Sequence, residues 1–214
     1  MTPLPGRLIT FEGIEGVGKS TQVEAARDLL LRAGLRVETT REPGGTPLAE
    51  CLRALVLEPG REPVGAAAEL LIMAAARAQH TAGRLRPLLD QGVVVLCDRY
   101  LDASYAYQGA GRGIDDAEID TVTRLATGGL VPDLTVLLDA PPSLALGRAR
   151  ARSGPADRIE AEALAFFERA RAKYLARARA EPDRFRVIDA TLEPTVVAAK
   201  IAAELGRLLG RSLA

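Results

Sequence analysis

A glycine-rich segment near the N-terminus has the residue types and spacing of a phosphate-binding loop. Residues 13–21 read Gly-Ile-Glu-Gly-Val-Gly-Lys-Ser-Thr and fit the pattern G-x-x-x-x-G-K-S/T. Glycines let successive backbone N–H groups curl around an anion, and the helix predicted to start near Lys19 adds the positive end of its dipole. In such loops the lysine bridges the β- and γ-phosphates of a nucleoside triphosphate, and the serine hydroxyl ligates Mg²⁺. We therefore predict a triphosphate site with Lys19 and Ser20 as its main side chains and Mg²⁺ as its cofactor.

Glu15 is the unusual residue of this loop, because a carboxylate among anion-binding amides repels phosphate unless it points elsewhere. Two interpretations remain open. In one, Glu15 is a solvated loop residue. In the other, it faces a second substrate and accepts hydrogen bonds from a sugar hydroxyl.

Two further segments place charged residues where a predicted strand ends. Val93–Asp98 is an apolar run that ends in a carboxylate, which can hold Mg²⁺ or its water shell beside the phosphate loop. Arg99 follows directly and can bridge donor and acceptor phosphates. In the turn at residues 40–46, Arg41 offers a guanidinium fork for an anionic group, and the Glu42-Pro43 bond is predicted to be cis.

Short apolar runs alternate with longer helical patterns along the chain. The predicted strands are Arg7–Phe11, Leu35–Thr40, Val93–Asp98, Leu134–Asp139 and Phe185–Asp189. The predicted helices are Lys19–Ala33, Thr46–Leu57, Gly65–Thr81, Asp115–Ala126, Arg158–Ala180 and Pro194–Leu209, and Gly65–Thr81 is expected to be a buried central helix. This alternation is typical of a parallel sheet with helices on both faces. We therefore predict a single three-layer α/β domain over residues 1–214, with about five parallel strands and ligands beyond their carboxyl ends.

The composition argues against several classes of protein. Lys and Arg total 28 and Asp and Glu total 28, so the net charge is zero, which disfavours non-specific nucleic-acid binding. No stretch of about 18 uninterrupted apolar residues is present, so no membrane span is predicted. Cys51 and Cys97 lack the spacing of metal ligands. Because the N-terminal residues carry no secretory signal pattern, we expect a cytoplasmic protein.

Taken together, these motifs resemble the bacterial thymidylate kinases from about Leu8 to Ala190. The shared segments are residues 11–21 (FEGIEGVGKST), 40–46 (TREPGGT), 98–100 (DRY), 106–109 (AYQG) and a lid at about residues 148–158. The Arg-Glu-Pro-Gly-Gly-Thr run is the most diagnostic, because other nucleotide kinases share the phosphate loop but not that turn. The resemblance implies a P-loop NTPase fold and transfer of the γ-phosphoryl of ATP to dTMP, in dTTP synthesis for DNA replication. It also implies ATP and dTMP as small-molecule partners, and a homodimer.

The same resemblance assigns roles to individual residues. The implied ATP-binding residues are Gly13, Ile14, Glu15, Gly16, Val17, Gly18, Lys19, Ser20, Thr21, Arg148 and Arg152. The implied dTMP-binding residues are Glu15, Arg41, Pro43, Met73, Arg77, Arg99, Ser104 and Tyr107. The implied catalytic residues are Lys19, Asp98, Arg99 and Arg152, and the implied Mg²⁺ ligands are Ser20 and Asp98.

Within the dTMP-binding set, the resemblance distinguishes phosphate, sugar and base contacts. It implies that Glu15 approaches the 3′-hydroxyl, that Tyr107 packs against the sugar, and that Ser104 hydrogen-bonds the thymine edge. The three arginines implied to hold the acceptor phosphate are Arg41, Arg77 and Arg99.

The base pocket departs from the family pattern. Met73 stands where the family carries a phenylalanine that stacks on thymine, although a thioether also packs favourably on a ring. Ala103 replaces a common serine, and Tyr105 stands where smaller or amide residues are common. An acceptor such as dUMP, or broad specificity, is therefore left open.

The predicted lid carries a cluster of cations. Arg148, Arg150 and Arg152 precede a Ser-Gly-Pro turn, as suits a flap that closes over polyphosphate and excludes water. Because Gly16 rather than a cation follows Glu15, we expect Arg152 to stabilise the transition state.

One alternative from another class is a P-loop protein that binds nucleotide without turnover. The intact Lys19, Ser20 and Asp98 argue against it. His80, the only histidine, is not expected to act in acid–base chemistry, because phosphoryl transfer to a phosphate needs positioning more than a base.

Overall fold

A five-stranded parallel sheet forms the centre of the protein. The structure is a computed structural model that describes residues 5–58, 62–151 and 157–213. The strands are β1 (Arg7–Glu12), β2 (Val37–Arg41), β3 (Val94–Asp98), β4 (Leu134–Asp139) and β5 (Phe185–Asp189). Their order in the sheet is β2-β3-β1-β4-β5, and every neighbouring pair is parallel, as the apolar runs predict.

Helices connect the strands and cover the sheet. In the described part of the chain they are α1 (Lys19–Arg32), α2 (Pro47–Leu57), α3 (Ala66–His80), α4 (Arg86–Asp90), α5 (Leu101–Ser104), α6 (Asp116–Thr127), α7 (Pro142–Arg150), α8 (Leu164–Ala180) and α9 (Pro194–Leu209). Helix α3 runs through a π-helical turn, Thr81–Leu85, into α4, and α5 runs into a longer one, Tyr105–Gly111. None of the helices in the described ranges is long and apolar enough to cross a bilayer.

Two hydrophobic clusters hold these helices against the sheet. The larger contains Ile9 and Leu96 together with residues of α1, α8 and α9, and the smaller contains Leu8 and Val95 together with residues of α3 and α6. Successive residues of a strand point to opposite faces, so these neighbouring pairs reach opposite sides of the sheet. The sheet is therefore the middle of three layers, which confirms the predicted fold class.

Two elements begin two or more residues later than predicted, and three helices were not predicted. Strand β2 begins two residues later than predicted, because the backbone N–H of Leu35 donates to Leu30 O at 3.1 Å at the end of α1. Helices α4, α5 and α7 were not predicted, and α7 begins with a proline in its first turn. Helix α8 begins at Leu164 rather than Arg158, because the Asp157 side chain accepts hydrogen bonds from two following backbone N–H groups and closes a separate turn.

The expectation that Gly65–Thr81 is a buried central helix is wrong for one face of α3. Leu70, Ala74 and Ala76 are buried, but Leu71 is 60% exposed. The prediction rested on overall apolar content, and an alanine-rich helix leaves little periodicity from which to tell a buried face from an exposed one.

Candidate active site

The strand register brings the charged residues of the predicted motifs to one edge of the sheet. Phe11 of β1 and Arg41 of β2 both lie opposite Asp98 of β3. The loop that follows β1 and the turn that follows β2 therefore begin on either side of the end of β3. This is the edge at which parallel α/β sheets bind their ligands.

The glycine-rich loop curls into a cradle that opens α1. Gly18 has φ +91° directly before the helix, a conformation that glycine adopts without strain, and nothing lies within 4 Å of where a side chain would begin. Lys19 turns back over the loop, and its Nζ donates to Gly13 O at 3.1 Å and Ile14 O at 2.9 Å. Burial, assisted by the charge of Arg99, lowers the pKa of Lys19 to about 8.

Ser20 and Asp98 provide two hard oxygen donors beside this cradle. The Ser20 Oγ donates to Asp98 Oδ2 at 3.4 Å. Oxygen donors suit Mg²⁺, which keeps several waters and needs only one or two protein groups in sites that also bind phosphate. No group of three or more acidic, His or Cys side chains suited to a metal occurs in the described residues.

Arg99 is held in a strained conformation between the loop and α8. It is the only non-glycine residue with positive φ among the described residues, at +69°. Its Nη1 donates to Gly13 O at 2.8 Å and Tyr174 Oη at 3.2 Å, and its Nη2 donates to Glu15 Oε1 at 2.7 Å. These contacts fix the guanidinium at the mouth of the loop.

The side chain of Glu15 points away from the loop amides, and the interpretation of a solvated residue is wrong. Glu15 is only 8% exposed and accepts hydrogen bonds from Tyr107 Oη at 2.8 Å as well as from Arg99. Burial, together with the Glu15 carboxylate, raises the pKa of Tyr107 well above its ordinary value, so the phenol stays a donor. Glu15 therefore belongs to the neighbouring cleft.

A buried network behind the Arg-Glu-Pro-Gly-Gly-Thr turn positions Arg77. The Glu42-Pro43 bond is cis, as predicted. The Glu42 carboxylate accepts from Arg77 Nε at 2.7 Å and pairs with His80 Nδ1 at 2.9 Å, and His80 Nε2 lies 2.8 Å from Thr40 Oγ1. Gly45 is required here, because at φ +86° any Cβ would lie 2.5 Å from the His80 ring.

Arg77 is locked further by contacts on its other side. Its Nη1 donates to Ser104 Oγ at 2.8 Å and its Nη2 donates to Tyr100 O at 3.0 Å. Ser104 is 1% exposed. Its hydroxyl therefore holds Arg77.

Two adjoining clefts lie at this edge of the sheet. The phosphate cleft, of about 870 Å³, is lined by Glu15, Gly16, Gly18, Lys19, Ser20, Thr21, Arg41, Glu42, Arg53, Asp98, Arg99, Arg148, Asp157 and Glu160. The inner cleft, of about 590 Å³, is lined by Glu15, Glu42, Pro43, Arg53, Leu57, Met73, Arg77, Arg99, Ala103, Tyr107, Gln108, Asp157 and Ile159. Two cations stand where the clefts meet, because Arg53 and Arg99 line both. The carboxylates that line both clefts are Glu15, Glu42 and Asp157.

Comparison with known proteins agrees with this geometry. The profile of the thymidylate kinase family matches residues 11–201. The chain belongs to the thymidylate kinase family. It is 54% identical over 202 residues to a thymidylate kinase of Chromohalobacter salexigens, covering 94% of this chain and 95% of that one. It is 52% identical over 206 residues to one of Trichlorobacter lovleyi, covering 94% and 97%. A crystal structure of thymidylate kinase from Ehrlichia chaffeensis superposes with TM-score 0.78 at 30% identity, covering 94% of this chain and 99% of that one.

Most residues expected from the thymidylate kinase resemblance gather at the two clefts. Arg41 lines the phosphate cleft but is half-exposed, and its Nη2 donates to Glu50 Oε2 at 2.9 Å. Arg148 lines the same cleft, and its Nη1 donates to Ala190 O at 2.7 Å. Tyr105 points elsewhere, with its hydroxyl donating to Asp120 at 2.5 Å. Arg152 and residues 153–156 of the predicted lid lie outside the described residues.

Arg53 and Gln108 are polar residues of the inner cleft to which the sequence analysis of this thymidylate kinase family member gave no role. Arg53 lies on α2, and its Nη1 donates to Pro43 O at 2.8 Å. This hydrogen bond directs the guanidinium toward the turn at residues 40–46. Gln108 follows Tyr107 in the π-helical segment, and its Nε2 donates to Glu69 at 2.8 Å. Both were findable in principle, since Arg53 lies on the helix that follows the diagnostic turn and Gln108 lies inside the shared Ala-Tyr-Gln-Gly motif.

Proposed function

We propose that this protein transfers the γ-phosphoryl of ATP to dTMP, giving dTDP and ADP. The observation that carries the proposal is the junction of the two clefts at Arg99 and Arg53. A triphosphate in the phosphate cleft and a monophosphate in the inner cleft would meet there. Two fixed cations at that point would hold both anions in line for direct transfer.

On the donor side, the glycine-rich loop holds the polyphosphate of ATP. The proposed contacts are the backbone and side chains of Gly13, Ile14, Glu15, Gly16, Val17, Gly18, Lys19, Ser20 and Thr21. Ser20 and Asp98 would hold Mg²⁺, which when bound neutralises charge on the phosphates. Lys19 would leave the carbonyls of the loop and follow the transferring oxygens.

On the acceptor side, we assign different residues to the phosphate, the sugar and the base. Arg99 and Arg53 would hold the phosphate, with Arg41 approaching from the phosphate cleft. Glu15, held by Tyr107, would accept from the 3′-hydroxyl. Tyr107 would pack against the sugar and disfavour a ribose 2′-hydroxyl.

The inner end of the cleft suits the base. Met73, Pro43 and Ala103 supply apolar surface there. Because Arg77 lines only the inner cleft, we assign it to the base edge in place of the phosphate. Ser104 acts on the base through its hydrogen bond to Arg77.

The chemistry needs charge stabilisation and alignment rather than a general base. A phosphate oxygen of dTMP is already nucleophilic near neutral pH, and closure of the lid would exclude competing water. We propose that Arg148 and Arg152 of the lid, about residues 148–158, close over the transferring group. If Arg152 supplies the transition-state cation, Arg152→Ala lowers kcat by about 10³-fold, whereas unchanged kcat would contradict the lid assignment.

Three further assignments rest on the family and on the surface of the molecule. We propose that residues 1–214 act as one domain in the cytoplasm, where ATP and dTMP are both available. We also propose a homodimer. The 60% exposed Leu71 on α3 and the 85% exposed Leu125 on α6 support it, because these two helices pack side by side.

A coupled ADP-release assay with MgATP tests the activity. Purified protein would be compared on dTMP, dUMP, dCMP, dGMP and the ribose form of TMP. Strong preference for dTMP supports the proposal. Turnover of another acceptor set would keep the phosphoryl transfer and change the substrate, and ATP binding without any turnover would contradict the proposed kinase activity.

A further inference from the structure

Glu69 of α3 is a buried carboxylate that lies behind the inner cleft without lining it. Its side chain has no exposed surface. It accepts hydrogen bonds from Gln108 Nε2 at 2.8 Å, from Arg158 Nη2 at 2.5 Å and from Arg112 Nε at 3.2 Å. None of the proposed steps uses this carboxylate directly.

These donors keep Glu69 ionised. Burial alone would raise the pKa of its carboxyl, but the hydrogen bonds from Gln108, Arg158 and Arg112 together lower that pKa below its ordinary value. An ionised carboxylate can only accept hydrogen bonds.

The ionised carboxylate decides which way the Gln108 amide points. The amide carries donors on its nitrogen and an acceptor on its oxygen, and only the nitrogen can face Glu69. The oxygen is therefore directed away from Glu69. Because Gln108 lines the inner cleft and Glu69 does not, the oxygen is the end available to a ligand.

Arg77 lines the same cleft and carries only donors. An arginine donor and a glutamine acceptor in one cleft complement a carbonyl beside a ring N–H. Thymine and uracil present that pair through their 4-carbonyl and N3–H. Cytosine presents the reverse, because its 4-position carries an amino donor and its N3 is a bare acceptor.

We propose that Glu69 is a specificity-determining positioning residue, which fixes the Gln108 amide so that its oxygen meets the ring N–H of a thymine or uracil base. The inference rests on the proposed function, in which the inner cleft takes the base of dTMP. Glu69 itself does not touch the substrate. It sets the hydrogen-bonding polarity of a residue that does.

The central experiment compares Glu69→Gln with the wild-type protein on dTMP and dCMP. An amide at position 69 donates as well as accepts, so it no longer dictates the orientation of Gln108. We expect kcat/KM for dTMP to fall about tenfold or more, chiefly through KM. We expect the dTMP-to-dCMP ratio of kcat/KM to fall by a similar factor, while KM for ATP changes less than about twofold.

Glu162→Gln is the matched control. Glu162 accepts from Arg112 Nη1 at 2.6 Å, whereas Glu69 contacts Nε and Nη2 of the same arginine. The variant removes the same charge from the same arginine but leaves the amide held. Its dTMP-to-dCMP ratio is expected to equal that of the wild-type protein.

A second background separates this role from a merely structural one. In Gln108→Leu there is no amide to orient, so adding Glu69→Gln is expected to leave the dTMP-to-dCMP ratio where Gln108→Leu put it. If Glu69→Gln lowers the ratio by the same factor in both backgrounds, the proposal is overturned.

Glu69→Asp tests the positioning role of Glu69 if the Glu69→Gln protein does not fold. It keeps the charge for both arginines but withdraws the carboxylate from the amide, and a roughly threefold fall in the ratio is expected. A folded Glu69→Asp protein with wild-type ratio and KM would refute the role of Glu69. Wild-type protein that fails to turn over dTMP would instead refute the proposed function.

Discussion

The phosphate cleft and the inner cleft share a boundary but are built from different parts of the chain. The phosphate cradle is one contiguous loop, whose anion-binding groups are backbone amides and whose Lys19 opens α1. The inner cleft has no such segment. Its polar walls are side chains from separate elements, such as Glu42, Arg77 and Gln108, and each is held by a buried partner.

The difference predicts how each cleft responds to mutation. The phosphate cradle consists mainly of backbone amides, and Lys19 contacts two carbonyls of its own loop, so loss of the lysine side chain removes a contact made with substrate and little that holds the fold. Groups of the inner cleft already satisfy one another, and removing one leaves a buried donor or charge without its partner. Changes in the phosphate cleft should therefore alter turnover alone, whereas changes in the inner cleft should alter both stability and acceptor binding.

The largest effect is expected for Lys19→Ala in the phosphate cleft. Loss of the only lysine at the phosphates is expected to lower kcat by about 10³-fold, because a charge aimed at the transferring group is absent in the transition state. KM for dTMP should stay within about threefold, and the melting temperature should not fall, since burial of this ammonium is itself unfavourable. Steady-state kinetics measures kcat and KM, and thermal unfolding measures the melting temperature. A markedly destabilised Lys19→Ala protein would contradict the expectation that the phosphate cleft contributes little to stability.

The second effect concerns Glu42→Gln in the wall of the inner cleft. Arg77 would lose its ionic partner while fully buried, so we expect unfolding to become easier by about 3 kcal/mol and kcat/KM for dTMP to fall about 100-fold. KM for ATP should change little. Chemical denaturation and initial-rate kinetics measure the two effects.

Glu38→Gln provides the control for that variant. Glu38 lies on the same strand, β2, and pairs with Arg84 at 3.2 Å, but its side chain is 48% exposed. An exposed pair contributes at most about 1 kcal/mol, so neither stability nor acceptor kinetics should change appreciably. If Glu38→Gln behaves like Glu42→Gln, the effect of Glu42 does not come from holding Arg77.

The same contrast explains what could be predicted from the sequence. The loop, the start of α1 at Lys19 and the parallel sheet follow from local patterns, and the structure confirms all three. The cis Glu42-Pro43 bond was likewise predicted from a local run of turn residues. Local backbone conformation depends on neighbouring residues, so it can be predicted without knowledge of the tertiary structure.

The inner cleft could not be read in that way. Glu42 and Arg77 are 35 residues apart, and Glu69 and Gln108 are 39 apart, so no spacing rule connects them. His80 was set aside as a catalytic group, and its place beside Glu42 depends on how α3 packs against the turn. The strand order of the sheet, too, is set by packing between distant segments and was not predicted.

A third prediction concerns the pH dependence of ATP use in the phosphate cleft. Lys19 has a pKa of about 8 in the free protein, so above that pH it loses the charge that binds ATP. We expect kcat/KM for ATP to fall as pH rises through about 8, by up to about tenfold per pH unit. Unfolding does not cause this fall. The pKa of an unfolded lysine is about 10.5, so between pH 8 and 10.5 the unfolded protein binds more protons at Lys19 than the folded protein does. The contribution of Lys19 to the free energy of unfolding therefore rises with pH over this range.

Lys19→Arg is the control for the pH dependence, because arginine keeps its charge throughout this range. Whatever its absolute rate, the fall of kcat/KM for ATP near pH 8 should disappear in this variant. The same fall in Lys19→Arg would show that another group titrates.

The smallest effect is expected at Met73, in the apolar end of the inner cleft. Its side chain lines the cleft and makes no polar contact that holds the fold together. Unlike changes of its polar neighbours, replacement of Met73 should therefore alter acceptor binding without lowering stability. Met73→Ala removes apolar contact with the base and is expected to lower kcat/KM for dTMP about fivefold, with KM for ATP unchanged. Met73→Phe should bring kcat/KM for dTMP back to within about twofold of the wild-type value, because an aromatic ring offers comparable apolar surface to the base.

Leu55→Ala is the control, a matched truncation of a 66% exposed residue on α2. It should change neither kcat/KM for dTMP nor KM for ATP. If Met73→Ala retains wild-type kinetics on dTMP, the base lies elsewhere in the inner cleft, and Arg77 and Gln108 alone must position it.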